Sequence, residues 1–269
     1  MNTKPSMTLR FLESHEVFTL GEFMTAVDPG VSERTRETNL RNAVRREQAR
    51  RLTRGLYASN VGAFRDKTPN PLLVASKAAP DSVLAYHTAL EAHGVAHTPA
   101  RTVYFLSTKS TTPFTVHGYR FRGVAAKADR LSSSVAPTYV ADVRVGDVLV
   151  PVTTRERTLV DCLARLDRAG GLEELLRSVG SFTTMTSEHV ARYAASLGSP
   201  TLVARAGWLL ELMSSDWLSD PAPLREMRRS LGRGTFWLQR RRPGVEYDFV
   251  AAWRLYVPAG LPFLDWLRG

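Results

Sequence analysis

The sequence predicts an α+β protein: a small N-terminal unit of three helices and a basic hairpin, then a larger domain of mixed helices and strands. Three observations predict it. The first sixty or so residues carry helix-capping signals and a turn-forming glycine in close order. The middle of the chain alternates apolar and polar residues at strand period, and beyond Thr154 the period becomes helical. Strand–helix–strand repeats are too few for a doubly wound parallel sheet.

Taken in order, a first helix is expected over about residues 5–14. In Phe18-Thr-Leu-Gly-Glu22, Thr19 and Glu22 have the spacing of a capping box, in which each residue satisfies an N–H that a helix start leaves open. The second helix then runs to about Val27, and Asp28-Pro-Gly30 turns the chain. Ser32 caps a long third helix reaching about Gln48. Arg50 to Tyr57 reads as a β-hairpin whose turn Gly55 permits. The Pro-containing stretch 66–71 reads as a linker. The expected division is therefore 1–65, the linker 66–71, and a domain over 72–269 with a candidate sub-boundary near 152.

In that larger domain a helix is expected over about 83–93, stopped by Gly94. Strands are expected at 102–107, 114–116, 119–124, 139–145 and 148–152, and helices at about 155–167, 172–179, 187–197, 200–213 and 222–231. The tail returns to strand-like runs at 235–239 and 247–257.

The composition, 43% hydrophobic and 23% charged, supplies enough apolar material for a packed core and excludes global disorder. No uncharged apolar run approaches the about 18 residues of a membrane span. The first residues lack the apolar core of a secretory signal, so a soluble, cytoplasmic protein is expected. A single cysteine, Cys162, excludes an internal disulfide framework and any multi-cysteine zinc site.

The net charge is +10, with 36 basic against 26 acidic residues. Such a surplus points either to a polyanionic partner or to solubility in an arginine-favouring coding background. It does not collect in one tail, so local arrangement has to locate a site.

The third helix provides one. On a helical wheel Leu40, Ala43 and Val44 point to one side, while Arg34, Thr38, Asn42 and Arg45 cluster opposite, flanked by Thr35, Arg41 and Arg46. Arg36 falls on the apolar side and does not fit. Arg, Asn and Thr are side chains that reach base edges and phosphates in a major groove. Two helices, a basic recognition helix and a basic hairpin, in that order, are the layout of a winged helix-turn-helix. Arg50, Arg51 and Arg54 would then form a wing on the phosphate backbone. These ten residues are the expected DNA-binding set. The other reading of the same helix is a solvated basic face.

A family resemblance adds to this. Phe18-Thr-Leu-Gly-Glu-Phe23, the basic helix, and Leu52-Thr-Arg-Gly-Leu-Tyr57 resemble the N-terminal domain of AbiEi-type antitoxins, among predicted regulators of viral defence systems. Tyr86-His-Thr-Ala-Leu-Glu-Ala-His-Gly94 and Val152-Thr-Thr-Arg-Glu-Arg-Thr-Leu-Val-Asp161 resemble later landmarks of that family. So does Ala206-Gly-Trp-Leu-Leu-Glu211, with Ala-Gly in place of the usual Leu-Gly. In order, the landmarks span about residues 10–215. The resemblance implies a winged helix that binds double-stranded DNA at repeats in its own promoter. It also implies a C-terminal part that counters a nucleotidyltransferase-like toxin, as a type IV antitoxin for which no stable complex is required. The alternatives are a nucleic-acid-processing defence enzyme and a ligand-responsive regulator.

No catalytic, cofactor-binding or metal-binding residue is expected. His87, His93 and His97 stand at i, i+6 and i+10, which aligns no metal site on one helix, and they read as packed or capping histidines. Cys162 reads as a buried small hydrophobe. Arg157 and Asp161 read as an i,i+4 pair on a helix surface that Thr153 or Thr154 caps and whose dipole Glu156 complements. Their other reading is a partner-facing patch. Asp142, Asp147, Glu246 and Asp248 have no metal-nuclease spacing, and neither a glycine-rich phosphate loop nor a nucleophile elbow is present. The run Gln239-Arg-Arg-Arg-Pro-Gly244, between aromatic strand candidates, reads as a solvated turn or as a second nucleic-acid surface.

Overall fold

Helix and sheet alternate along the chain as an α+β protein requires, with ten α-helices and three sheets among the described residues. The computed structural model describes residues 6–28, 30–131, 139–214, 217 and 220–260. It forms two compact units, each discontinuous in sequence. The first comprises Met1–Val83, Arg101–Lys127 and Arg144–Val150; the second comprises Leu84–Ala100, Ala128–Val143 and Pro151–Gly269.

In the first unit, α1 (Met7–Ser14) starts where the Ser6 hydroxyl accepts the Leu9 N–H. A short strand, β1 (Val17–Thr19), leads into α2 (Leu20–Ala26). The capping box forms as expected: Thr19 Oγ1 accepts from the Glu22 N–H at 3.1 Å and Glu22 Oε2 accepts from the Thr19 N–H at 2.7 Å. Ser32 caps α3 (Glu33–Arg45) by accepting the Thr35 N–H at 3.2 Å. This helix stops short of the expected Gln48. Glu47 takes a left-handed φ of 57°, and Asn60 holds that end by donating its side-chain N–H to the Glu47 carbonyl at 2.6 Å.

The hairpin is β2 (Ala49–Thr53) and β3 (Leu56–Ser59), turning at Gly55, whose φ of 76° suits a residue without Cβ. Arg51 faces Tyr57 and Thr53 faces Leu56, so Leu52 is an extra residue in a bulge. β1 adds antiparallel to β3, giving the order β1-β3-β2. The core beneath holds Leu12, Phe18, Phe23, Leu40 and Ala43, with Phe11 edge-on to Phe18 and Phe23 at 5.2 and 5.3 Å. Each large side chain buried here contributes about 1.5–3 kcal/mol.

The stretch 66–71 belongs to this unit. Asn60 Oδ1 accepts the Asp66 N–H and Glu16 Oε1 accepts the Asn70 N–H, while Asn70 caps α4 (Pro71–Ser76). The chain then leaves along β4 (Val83–Leu84) and α5 (His87–Ala92). It returns as β5 (Thr102–Ser107), β6 (Phe114–Val116) and β7 (Tyr119–Ala125). β7 lies between β6, antiparallel to it, and β5, parallel to it.

The single helix expected over 83–93 is a strand and a shorter helix. Val83 and Leu84 are buried, Leu84 pairs in parallel with Val152, and Tyr86 at φ 57° separates strand from helix. The hairpin strands β8 (Val140–Val145) and β9 (Val148–Thr153) precede α6 (Arg155–Ala164), capped by Thr154. Helices α7 (Leu172–Gly180), α8 (Ser187–Ser196), α9 (Pro200–Leu212) and α10 (Pro221–Ser230) follow, with α8 packed on α6, α9 and α10.

The tail is β10 (Phe236–Trp237), β11 (Tyr247–Val250) and β12 (Leu255–Pro258). The expected strand over 247–257 is broken because residues 251–253 make a 3-10 turn and Arg254 adopts φ 50°. β12 thereby folds back antiparallel on β11, while β10 joins its other edge in parallel. The turn drives Trp253 into the core against Gly207, where an added Cβ would lie 2.1 Å from the indole ring.

Candidate nucleic-acid interface

Helix α3 buries Leu40 and Ala43 and turns its opposite face to solvent. Arg34, Thr35, Thr38, Arg41, Arg45 and Arg46 are exposed, and Asn42 is half-buried at the margin. Thr35 Oγ1 bonds the Ser32 hydroxyl, and Thr38 Oγ1 donates to the Arg34 carbonyl at 2.8 Å. Both threonine side chains are thereby held by their own helix. Arg36, out of place on the wheel, is half-buried, and its buried Nε has no hydrogen-bond partner among the described residues.

On the hairpin, Arg51 and Arg54 are exposed. Arg50, one residue along β2, points to the other side of the strand and pairs with Asp66 at 3.0 Å. A cleft of about 330 Å³ opens between α3 and the three-stranded sheet, lined by Leu20, Glu37, Leu40, Arg41, Val44, Arg51 and Tyr57. The fold thus brings Arg41 of the helix and Arg51 of the hairpin, ten residues apart in sequence, to one depression. Glu37 and Tyr57 join them there without having been singled out in the sequence. Glu37 stands four residues before Arg41, a spacing that places it on the same helix face. Guanidinium groups beside an apolar-floored cleft offer forked N–H donors to phosphate oxygens and to the O6/N7 edge of guanine.

The second unit gathers its own polar groups. Arg157 and Asp161 do pair at 3.2 Å, but not on an open helix surface: Arg157 is buried and the Asp161 side chain is only 13% exposed. Helix α8 covers the pair: Tyr193 Oη donates to Asp161 Oδ1 at 2.8 Å, and Arg157 Nη1 donates to the Arg130 carbonyl. Burial holds the Asp161 carboxyl above its ordinary range, against the pull of Arg157 and Tyr193.

His87 is buried with Nε2 3.2 Å from Glu174 Oε1, and the same carboxylate accepts N–H bonds from His97 and Thr98. Burial raises the Glu174 carboxyl less than the hydrogen bonds from Thr98, Ser178 and His87 lower it. His93 Nε2 lies 2.8 Å from the Thr153 carbonyl, so that nitrogen carries the proton. Cys162 is fully buried, which pushes its thiol well up. Among the described residues no three His, Cys, Asp or Glu side chains are grouped to hold a metal ion. Asp142, Asp147, Glu246 and Asp248 are exposed.

No family model and no curated protein matches the chain. A solved structure, the RV2827C protein from Mycobacterium tuberculosis, is similar in fold with a TM-score of 0.65 at 15% identity. The alignment covers 98% of this chain and 94% of that one. No described helix is long and apolar enough to cross a membrane.

Proposed function

We propose that the N-terminal unit is a winged helix-turn-helix and that the protein is a DNA-binding autorepressor and antitoxin. In this reading α3 enters the major groove of double-stranded DNA, with Arg34, Arg41, Asn42 and Arg45 toward base edges. Thr35, Thr38 and Arg46 flank them, and Arg51 and Arg54 of the hairpin lie on the backbone. One observation supports the DNA reading above the others: Arg41 of α3 and Arg51 of the hairpin, both exposed, border the same cleft. The antitoxin half rests on the resemblance to AbiEi-type proteins alone.

The DNA reading is tested with the region upstream of the protein's own operon. Replacing Arg41 and Arg45 by Ala should weaken retardation of that DNA about tenfold or more, with an unchanged melting curve. Unchanged affinity in the doubly substituted protein would overturn the contact assignment. The antitoxin half is tested by co-expression with a nucleotidyltransferase-like gene adjacent to this one. Growth should be rescued by the full chain and by its Arg41→Ala/Arg45→Ala form alike; no rescue by either overturns it.

A further inference from the structure

The three-stranded sheet of the second unit is apolar on both faces, and among the described residues no core covers one of them. Leu255, Val257 and the neighbouring Trp253 are buried, which makes the side carrying Leu255 and Val257 the core side. Side chains alternate across a strand, so Tyr256 lies on the outer side. Its register partners are Trp237 on β10 and Phe249 on β11, giving one aromatic row across all three strands. Trp237 stacks on Tyr256 at 4.5 Å, Phe249 lies 5.0 Å from Tyr256, and Tyr247 meets Trp237 edge-on at 5.0 Å. Phe249 is 48% exposed, and Trp237, Tyr247 and Tyr256 are half-buried.

A basic loop borders this row. Arg240, Arg241 and Arg242 are exposed, and the Arg241 guanidinium lies 5.8 Å from the centre of the Trp237 ring. The Arg242 N–H donates to Tyr247 Oη at 2.9 Å, fixing the loop against the row and leaving the phenol proton to donate elsewhere. Arg205 Nε donates to the Trp237 carbonyl at 2.8 Å and holds β10 in place. Asp248, on the same strand as Tyr247 and Phe249, alternates to the opposite side.

We infer that this face binds single-stranded RNA, with an unpaired base stacking on Phe249, which Tyr256 and Trp237 back, and phosphates meeting Arg240–Arg242. The argument is one of complementarity. Phe249, exposed at the end of the row, offers a π-face, and a duplex has already spent such stacking on its own bases, so the site suits an unpaired strand. Three cations beside it suit a polyphosphate backbone, and RNA is the polymer whose bases stay unpaired in loops and ends. The inference does not depend on α3 or on the repressor reading.

The test is fluorescence anisotropy of the full chain, at fixed ionic strength, with a labelled U-rich RNA strand of about ten nucleotides. The deoxy strand of matching sequence and the corresponding DNA duplex serve as competitors. Saturable RNA binding is expected, weakened about fivefold or more by Phe249→Ala and by Arg241→Ala, and restored by Phe249→Trp. Phe249 lies on an edge strand away from the core side, so its replacement should leave the melting curve unchanged. Arg41→Ala/Arg45→Ala should bind the RNA like the parent. Absence of saturable RNA binding, an unchanged affinity in both Phe249→Ala and Arg241→Ala, or binding of the deoxy strand alone would overturn the inference. So would loss of RNA binding in Arg41→Ala/Arg45→Ala with Phe249→Ala unaffected.

Discussion

Arg50 and Asp66 are bound to each other, Nη2 to Oδ1 at 3.0 Å, while the next residue, Arg51, faces the cleft beside α3. Adjacent arginines of one strand therefore have different employment. Both partners of the ion pair are solvent-accessible, so the pair adds at most about 1 kcal/mol to stability. Its consequence is positional: Arg50 is held toward Asp66.

On the proposed DNA reading, Arg50→Ala should cost less affinity than Arg51→Ala. Asp66→Ala should tighten binding and steepen its salt dependence by about one counterion, because it frees Arg50 and removes a carboxylate. Titrations at two salt concentrations measure this. A larger loss from Arg50→Ala than from Arg51→Ala would contradict it.

The buried Arg157–Asp161 pair makes a prediction about stability. Arg157→Ala leaves Asp161 buried without its cation and should destabilise the protein by about 3–5 kcal/mol at pH 7.5. Burial already raises the Asp161 carboxyl, so the folded protein favours its protonated form. Such a group favours folding at low pH and loses that contribution as pH rises through its folded value. The damage from Arg157→Ala should therefore shrink as pH falls, and Asp161→Asn added to it should recover part of the loss. Urea titrations at two pH values are the measurement.

His93 makes a second pH prediction, of opposite sense. Burial holds its imidazole below the ordinary value, Arg155 pushes the same way, and the Thr153 carbonyl and Glu156 oppose them. The unfolded chain therefore takes up this proton first. The His93 contribution to stability is complete above the unfolded value of about 6.5 and is lost as pH falls through the lower folded value. His93→Gln, which keeps a donor for the Thr153 carbonyl, should flatten the pH dependence in that range. An identical slope in parent and variant would count against it.

Gly207 touches the Trp253 ring, and no side chain fits between them. Gly207→Ala should destabilise the protein by about 1–3 kcal/mol through overpacking and should shift the tryptophan emission. A melting temperature equal to the parent's would show that the indole moves aside freely.

The features legible in the sequence are those made within a few residues. The Thr19–Glu22 capping box and the Ser32 and Thr154 caps close over three residues, so spacing alone identifies them. The alternation of β5 and the wheel of α3 are equally local, which is why Leu40 and Ala43 were expected inside and Arg34, Arg41 and Arg45 outside. What escaped the sequence depends on distant partners. The end of α3 is held by Asn60, thirteen residues beyond Glu47, and nothing in Arg-Arg-Glu-Gln signals a stop.

By itself, then, the sequence determined the α+β class, most element positions, and which side of the basic helix carries its arginines, because period and caps act through the local backbone. Only the tertiary structure decided three further things. It turned Arg50 toward Asp66 and Arg51 toward the cleft. It buried Arg157 and Asp161 beneath a tyrosine 32 residues away from the acid. It folded the tail at Arg254, so that Trp237, Tyr256 and Phe249 share one row. These outcomes depend on which side of an element another segment covers, and a residue's near neighbours in sequence carry no record of that.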